Sequence, residues 1–265
     1  MAKINLDKYY TSKELAKHCI DVVNGLGLEI TETIEPSAGN GSFSLQIPNC
    51  IAYDLEPEHE SIIKQDFLKL ELPYKKGRLF IGNPPFGNRL NLVKQFYKKC
   101  VQSSDYIAFI LPISQLNNNY ELHDFDLIYS NDLGLQNYSD RKIHCCFNVY
   151  KRNENGLNGK QIYKFNDVYV TKYRRNRIST HERTKYINSN YDIRICGFGS
   201  AIGKEVEYEG QYNSEYIIVC KKYKNEIINL IRNTNWIEKY KMIATPNLTS
   251  WMIYETIKEQ IPQLF

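Results

Sequence analysis

Asn83-Pro84-Pro85-Phe86 is the segment of this chain best equipped for chemistry. Asparagine supplies a side-chain carbonyl acceptor, and each proline has a locked φ and a carbonyl without an amide hydrogen. Together they can hold two oxygens still and grip an amino group, which makes Asn83, Pro84, Pro85 and Phe86 the candidate catalytic residues. The Phe86 ring offers a flat apolar face on which an aromatic ring, for instance a base, can stack. The tetrapeptide directly follows the apolar run Leu79-Phe80-Ile81, which reads as a strand. Open α/β sheets bind ligands at the C-terminal ends of their strands. Read alone, Asn-Pro and Pro-Pro are also ordinary turn punctuation.

A glycine-rich loop lies upstream, Glu35-Pro36-Ser37-Ala38-Gly39-Asn40-Gly41. Glycines after a first strand let the backbone approach a ligand without Cβ obstruction, so Gly39 and Gly41 are candidate binding residues. Asp54 closes the next apolar run, Ile51-Ala52-Tyr53, where an acidic side chain can bind both hydroxyls of a ribose. The alternative is that the glycines only make a tight turn and Asp54 only caps a helix. The loop lacks the G-x-G-x-x-G pattern of dinucleotide sites and carries Glu35 where a pyrophosphate would be repelled. A cationic ligand accepts that charge, and S-adenosylmethionine combines a ribose with a positive sulfonium and an amino group. Asp66 and Phe67 would then serve the adenine end, one accepting from the ring amino group and the other packing on the ring.

These residues need a scaffold, and the order of elements suggests one. Ser12 precedes a helical stretch with Leu15, Cys19, Val22 and Val23 on one face. Glu29 to Ile34 reads as the strand feeding the glycine loop, and Ser42 to Gln46 either begins a helix or continues the turn. A helical stretch is expected near Glu58 to Lys64 and another from about Leu92 to Cys100. Asp105 to Pro112 is a buried strand stopped by its proline. Strands alternating with helices predict an α/β fold with a parallel, doubly wound, Rossmann-like sheet. Phe125 to Tyr129 and Lys142 to Tyr150 are expected to add a hairpin edge, and the polar stretch Asn153 to Lys160 has the composition of a boundary loop. Beyond it come aromatic-rich strands up to Cys220, with helical patterning near Asn225 to Asn233. We expect a catalytic domain over residues 1–152 and a second region over 160–265.

Whole-chain properties bound the partners. At 265 residues, with 42% hydrophobic and 24% charged residues, the chain has the composition of a folded protein. A net charge of +4 permits a nucleic-acid partner without requiring one. No apolar stretch is long enough to span a bilayer and Met1 to Asn5 carries no signal-peptide core, so a cytoplasmic location without membrane partners is expected. Seven scattered cysteines form no C-x-x-C pair, which fits reduced thiols and gives no metal-ligand spacing. Oligomeric state is not legible.

Taken in order, the motifs resemble class I S-adenosylmethionine-dependent amino-methyltransferases, particularly the adenine-specific DNA methyltransferases of restriction–modification systems and phages. The resemblance covers roughly residues 8–152. Lys8-Tyr9-Tyr10-Thr11-Ser12 resembles the N-terminal cofactor motif of the group whose target-recognition region is C-terminal. Glu35 to Gly41 is similar to the glycine motif, Asp54 to Pro57 to the ribose motif, Asp66-Phe67 to the adenine-contact motif, and Asn83 to Phe86 to the catalytic tetrapeptide. The resemblance implies S-adenosylmethionine as cofactor, held by Tyr10, Thr11, Glu35, Pro36, Ala38, Gly39, Gly41, Asp54, Asp66 and Phe67. Tyr138-Ser139-Asp140-Arg141 resembles the segment whose aromatic residue covers the other face of a flipped base. It implies a target adenine sandwiched by Phe86 and Tyr138 in double-stranded DNA, with Arg141 on the base or a phosphate. Asn in place of the commoner Asp leaves room for cytosine 4-amino or protein glutamine as substrates, and RNA adenine is an alternative that uses the same tetrapeptide and cofactor loop. A non-catalytic nucleic-acid-binding protein is the remaining alternative.

No covalent nucleophile is required by such a grip on nitrogen, and no Pro-Cys motif of the cytosine ring-carbon enzymes occurs at a strand end. Downstream, Lys172-Tyr173-Arg174-Arg175-Asn176-Arg177, continued by His181, Arg183 and Lys185, is the densest cationic stretch. Its arginines, Arg174, Arg175 and Arg177, are candidate phosphate contacts, with Tyr173 able to stack or hydrogen-bond. Such a run is also commonly a solvated face. Gly197, Gly199 and Gly203 read as turn residues.

Overall fold

The computed structural model describes residues 10–138, 141–160, 166–174, 191–240, 242 and 246–264. The chain divides into two compact units, Met1–Lys160 and Gln161–Phe265.

The first unit opens with helix α1 (Lys13–Gly25), whose N-cap Ser12 accepts a hydrogen bond from the Leu15 amide at 3.1 Å. Its Ala16, Cys19 and Val23 are buried in the core, with Leu15 and Val22 packed at the margin. Strands β1 (Glu32–Glu35), β2 (Ile51–Asp54), β3 (Ile63–Lys64), β4 (Arg78–Gly82), β5 (Tyr106–Pro112), β6 (Asp126–Tyr138) and β7 (Arg141–Lys151) form one seven-stranded sheet in the order β3-β2-β1-β4-β5-β7-β6. The first five run parallel, and β7 enters antiparallel between β5 and β6. The run 3-2-1-4-5 is that of a Rossmann-type sheet. Completed by an antiparallel hairpin, it is the Rossmann-like α/β architecture expected of methyltransferases of this class. Strand β4 is buried along its whole length and β5 up to Leu111, as central strands covered on both faces must be. Helix α2 (Asn91–Val101) makes the crossover between them and buries Val93, Phe96, Tyr97 and Cys100.

Fewer helices wind this sheet than the sequence pattern suggests. The stretch near Glu58 to Lys64 is not helical: it consists of bends, a turn and the two-residue edge strand β3. Only a 3-10 turn, Ser44–Gln46, follows the glycine loop. The β1–β2 and β2–β3 connections therefore leave the C-terminal ends of the parallel strands to be walled by loops. A very short edge strand also limits unwanted pairing at the β3 side.

The opposite edge is longer than expected, because β6 runs to Tyr138 rather than ending near Tyr129. Its polar residues lack a strand-like pattern, and pairing with the apolar β7 overrides that weak local preference. The last β5–β7 pair is Pro112 with Cys145, so residues 141–144 and their β6 partners overhang the sheet. Four residues span roughly 13 Å. A register shift between Asp132 and Gly134 marks a bulge opposite Cys146 and Cys145, where the ribbon leaves β5. Gly134 has φ +72, and its amide donates to Asp132 Oδ1 at 2.7 Å. Bulges bend a strand and increase its twist, which is how this overhang is aimed.

In the second unit, β8 (Val168–Arg174), β9 (Ile193–Cys196) and β10 (Ser214–Cys220) form an antiparallel sheet in the order β8-β10-β9. Helices α3 (Lys224–Asn233), α4 (Trp236–Lys239) and α5 (Ser250–Gln260) share its core, in which Ile193, Ile195, Ile218, Ile227, Ile231 and Ile257 are buried. Arg194 and Glu215, both buried, form an ion pair between neighbouring strands. Gly199 and Gly203 adopt φ +81 and +80, as turn glycines do. Among the described residues, no helix is long and apolar enough to cross a membrane.

The bulge makes a testable demand on residue 134. No atom lies within 4 Å of a Cβ built there, so any penalty comes from the left-handed backbone alone. Gly134→Val is expected to lower stability by about 1–2 kcal/mol, and Gly134→Asn by less, because Asn tolerates that conformation. Thermal or denaturant unfolding of the two variants measures the difference.

Candidate active site

The described chain carries a cavity of about 310 Å³ at the C-terminal ends of β1, β2 and β4. Its wall brings together Tyr10, Thr11, Glu35, Pro36, Ala38, Gly39, Asp54, Asp66, Phe67, Asn83 and Pro85, residues drawn from every motif of the N-terminal half. Gly41, Pro84 and Phe86 are not part of that wall. Pro84 and Gly41 are buried, and Phe86 is only 6% exposed. A Cβ on Gly41 would stand 2.8 Å from Leu45 Cγ, and its φ is +80, so this position needs glycine on both counts.

Asp54 ties the loop to the sheet. One of its carboxylate oxygens accepts from the Gly39 amide at 2.8 Å and the other from the Glu56 amide at 2.8 Å. The Ala38 amide donates to the Tyr53 carbonyl at 2.9 Å, extending the attachment by one residue. Gly39 has φ +54 and open space around a notional Cβ apart from Tyr10 at 3.9 Å, so glycine serves conformation here rather than room. Asp66 caps the short 3-10 turn Phe67–Lys69 by accepting from the Leu68 amide at 3.1 Å. Phe67 touches the cavity but is 2% exposed, stacked on Phe96 with ring centroids 5.5 Å apart.

Glu35, at the end of β1, is 2% exposed. Its carboxylate accepts from the Ser44 amide at 2.8 Å, at the start of the 3-10 turn. Burial dominates, and it pushes the carboxyl up to about 7 against the pull of that hydrogen bond. Near neutral pH this acid is poised between its two protonation states beside the cavity.

Asn83 emerges from β4 after Gly82, whose φ is 151. Its side-chain nitrogen donates to Thr11 Oγ1 at 3.2 Å and to the Tyr138 hydroxyl at 3.4 Å. Ser37 Oγ approaches the Asn83 carbonyl at 3.4 Å. Thr11 is itself positioned by Ser42, whose hydroxyl donates to the Thr11 carbonyl at 2.6 Å. Tyr138, at the end of the overhanging β6, is 1% exposed, and its hydroxyl also lies 3.6 Å from Cys145 Sγ. Burial raises the phenol well above its ordinary range, so it stays protonated. Neither Phe86 nor Tyr138 offers an open face to the cavity.

Other expected residues fall elsewhere. Arg141 opens β7, but its side chain lies outside the described residues. Lys8, Tyr9, Ser139, Asp140, Arg175, Asn176, Arg177, His181, Arg183 and Lys185 also lie outside them. Arg174 ends β8 in the second unit. Two members of the cationic stretch differ from expectation. Tyr173 is 6% exposed and is no open stacking platform. Lys172 is half-buried, with Nζ 4.9 Å from the Tyr216 ring centroid and donating to the Leu248 carbonyl at 3.2 Å. Desolvation lowers it to about 8, so it is a packed lysine rather than a free surface cation.

Sequence reading missed several walls of the cavity, among them Ser42, Leu55, Leu92 and Phe96. Leu92 and Phe96 had a local signal, since residues four apart share a helix face. Ser42 and Leu55 had none beyond adjacency to the glycine loop and Asp54.

No known protein family matches the chain, and no curated protein does. Solved structures resemble part of the chain. A protein of Pyrococcus horikoshii assigned as an RNA methyltransferase is 16% identical, with a TM-score of 0.46 over 57% of this chain and 89% of that one. A protein of Vibrio vulnificus YJ016 assigned as the modification subunit of a type I restriction enzyme is 12% identical, with a TM-score of 0.44 over 71% of this chain and 53% of that one. Magnesium protoporphyrin IX methyltransferase of Synechocystis PCC 6803, with S-adenosylmethionine bound, is 9% identical, with a TM-score of 0.38 over 53% and 79%. At such identities and overlaps, what this chain acts on has to come from its own residues.

Glu35 supplies a pH signature. Its folded pKa lies above the ordinary carboxylate value, so the native state holds a proton that the unfolded chain has released between about pH 4.5 and 7. Stability is therefore expected to fall as pH rises through that window, by on the order of 3 kcal/mol at most. Glu35→Gln keeps an acceptor for the Ser44 amide and should flatten the dependence; denaturant titrations across that window measure it.

Proposed function

We propose that this chain is an S-adenosylmethionine-dependent methyltransferase that modifies the 6-amino group of adenine in nucleic acid, with double-stranded DNA as the substrate. One observation carries the reading: Asn83 and Pro85 share a single cavity with Gly39, Asp54 and Glu35. A tetrapeptide suited to gripping an amine thus borders a site suited to a cationic nucleoside.

The residues present fit that cofactor. Asp54 keeps carboxylate lone pairs for a ribose while it holds the glycine turn, since each oxygen has about two acceptor sites and one of them is used on each. Glu35 is an acidic group desolvated at the cavity wall, where a positive amino group or sulfonium is the natural counter-charge. Tyr10 and Thr11 close one side and Phe67 and Leu92 provide apolar contact. When bound, S-adenosylmethionine supplies an electrophilic methyl group on a sulfonium.

What the chain contributes is orientation. An adenine amine delocalises its lone pair into the ring. Two acceptors, Asn83 Oδ1 and the Pro84 carbonyl, would accept hydrogen bonds from its two N–H groups and favour the geometry in which that lone pair is available. The rings of Phe86 and Tyr138 would hold the base once it is extruded from the duplex, which requires uncovering them, because both are buried. Arg141, Arg174, Arg175 and Arg177 would contact phosphates, and residues 160–265 would serve target recognition. RNA adenine, cytosine 4-amino and glutamine amide nitrogens present the same planar amine, so the substrate must be tested directly.

The decisive experiment incubates the protein with methyl-labelled cofactor and duplex DNA, RNA and protein substrates, then identifies the modified group. Label in 6-methyladenine of DNA is expected; label only in RNA, in cytosine or in glutamine would redirect the assignment. Asn83→Ala is expected to leave cofactor affinity within about twofold while lowering turnover by at least about 100-fold. Unchanged turnover would remove Asn83 from the chemistry. DNA affinity should fall steeply as salt is raised, and a flat response would remove the basic stretch from the interface.

A further inference from the structure

The amide of Asn83 is held from two sides by residues far away in the chain. Thr11 Oγ1 lies 3.2 Å and the Tyr138 hydroxyl 3.4 Å from the same nitrogen, across sequence separations of 72 and 55 residues. A primary amide nitrogen carries two hydrogens, so two acceptors satisfy it. Each acceptor has its own support. Ser42 holds the Thr11 carbonyl at 2.6 Å, and Tyr138 sits at the tip of a ribbon bent by the bulge at Gly134, with Cys145 Sγ beside its hydroxyl.

We infer that Thr11 and Tyr138 act as a hydroxyl clamp on the Asn83 amide, positioning residues that fix which end of that amide meets the substrate amine. This inference rests on the methyltransferase reading and deepens it. An asparagine side chain has an accepting end and a donating end of nearly equal size. With the oxygen toward an incoming amine it accepts a hydrogen bond from N–H; turned end for end it presents N–H to N–H, which repels. A hydroxyl can donate as well as accept, but the Cys145 thiol donates to the Ile143 carbonyl at 3.6 Å, so Cys145 Sγ takes the Tyr138 hydrogen and leaves the Tyr138 oxygen to accept. Tyr138 thereby keeps the amide nitrogen on its side, beside Thr11, and the oxygen on the other. Thr11, which the sequence pattern suggests as a cofactor contact, thereby gains a role toward the catalytic asparagine. Tyr138 gains one through its hydroxyl, separate from any stacking by its ring.

A carboxylate at position 83 has two equivalent oxygens and cannot be turned the wrong way. The clamp therefore matters for asparagine and much less for aspartate. This separates orientation from a structural role, because lost packing would act equally on both side chains.

The test measures methyl transfer to DNA and cofactor affinity for Thr11→Val and Tyr138→Phe, each in the native chain and in the Asn83→Asp background. In the native chain, kcat is expected to fall about tenfold or more for each, with the Kd of the cofactor changed by less than about twofold for Tyr138→Phe, a position outside the cavity wall. Thr11→Ser, which retains the oxygen, should recover most of the loss seen for Thr11→Val. In the Asn83→Asp background the same substitutions should cost less than about threefold. The clamp is overturned if native kcat stays within about twofold, if cofactor affinity falls in parallel with kcat in Tyr138→Phe, or if the losses are equal in both backgrounds. Should Asn83→Asp itself be inactive, the contrast between Thr11→Val and Thr11→Ser, with Tyr138→Phe, decides by the first two criteria. If the native chain methylates no nucleic acid at all, the functional reading fails first, a result distinct from an active enzyme indifferent to the two hydroxyls.

Discussion

The carboxylate of Asp54 is the joint on which the site is built. It accepts from the Gly39 amide and from the Glu56 amide, both at 2.8 Å, and so fastens the glycine turn after β1 to the end of β2. A turn whose glycine sits at φ +54 has no regular partner for its amide, and a buried or half-buried amide without one is costly. An acidic residue at this point therefore settles the loop conformation before any ligand is considered. The remaining wall follows from it: Glu35 lies at the start of the fastened turn, and β4, paired with β1, delivers Asn83 to the same end of the sheet.

Economy in the connections shapes this cavity. With a 3-10 turn after the glycine loop and bends before β3, little helical mass stands over the first two parallel crossovers. The opposite side is supplied by the first turns of α2, through Leu92 and Phe96, and by the segment preceding α1, through Tyr10 and Thr11. The long β6–β7 ribbon then adds a third approach, because its bulge lies where β5 stops supporting it. Asn83 is thus the meeting point of three separately positioned pieces of chain, the end of β4, the segment before α1 and the ribbon tip.

Much of this was legible locally. Leu79 to Ile81 and Asp105 to Pro112 are apolar runs closed by turn residues, and both are buried central strands. Ser12 marked the start of α1, and Leu92 to Cys100 fell within α2. The miss at Glu58 to Lys64 has a plain cause: a few residues of helix-forming composition cannot nucleate a helix without tertiary support, and here the chain has to reach the sheet edge as β3. The second half of β6 was invisible for the converse reason, since Ser130 to Asn137 carries no strand period and is held by its partner β7. Lys172, read as part of a cationic stretch for phosphates, is half-buried because it lies on the β8 face of the buried Val168, where Tyr216 and Leu248 meet its side chain.

By itself, the amino-acid order determined which chemical groups stand at strand ends: Glu35 and Asp54 close two apolar runs and Asn83 follows a third, which are β1, β2 and β4. Those placements depend on short apolar runs and the turn residues that close them, which are properties of neighbouring residues. Tertiary structure alone decided how each group is used. Burial raises Glu35 to about 7, and Thr11 and Tyr138 reach the Asn83 amide from 72 and 55 residues away. Desolvation and contacts of that range arise only when the chain has packed, because they depend on what surrounds a residue in space and not on what adjoins it in sequence.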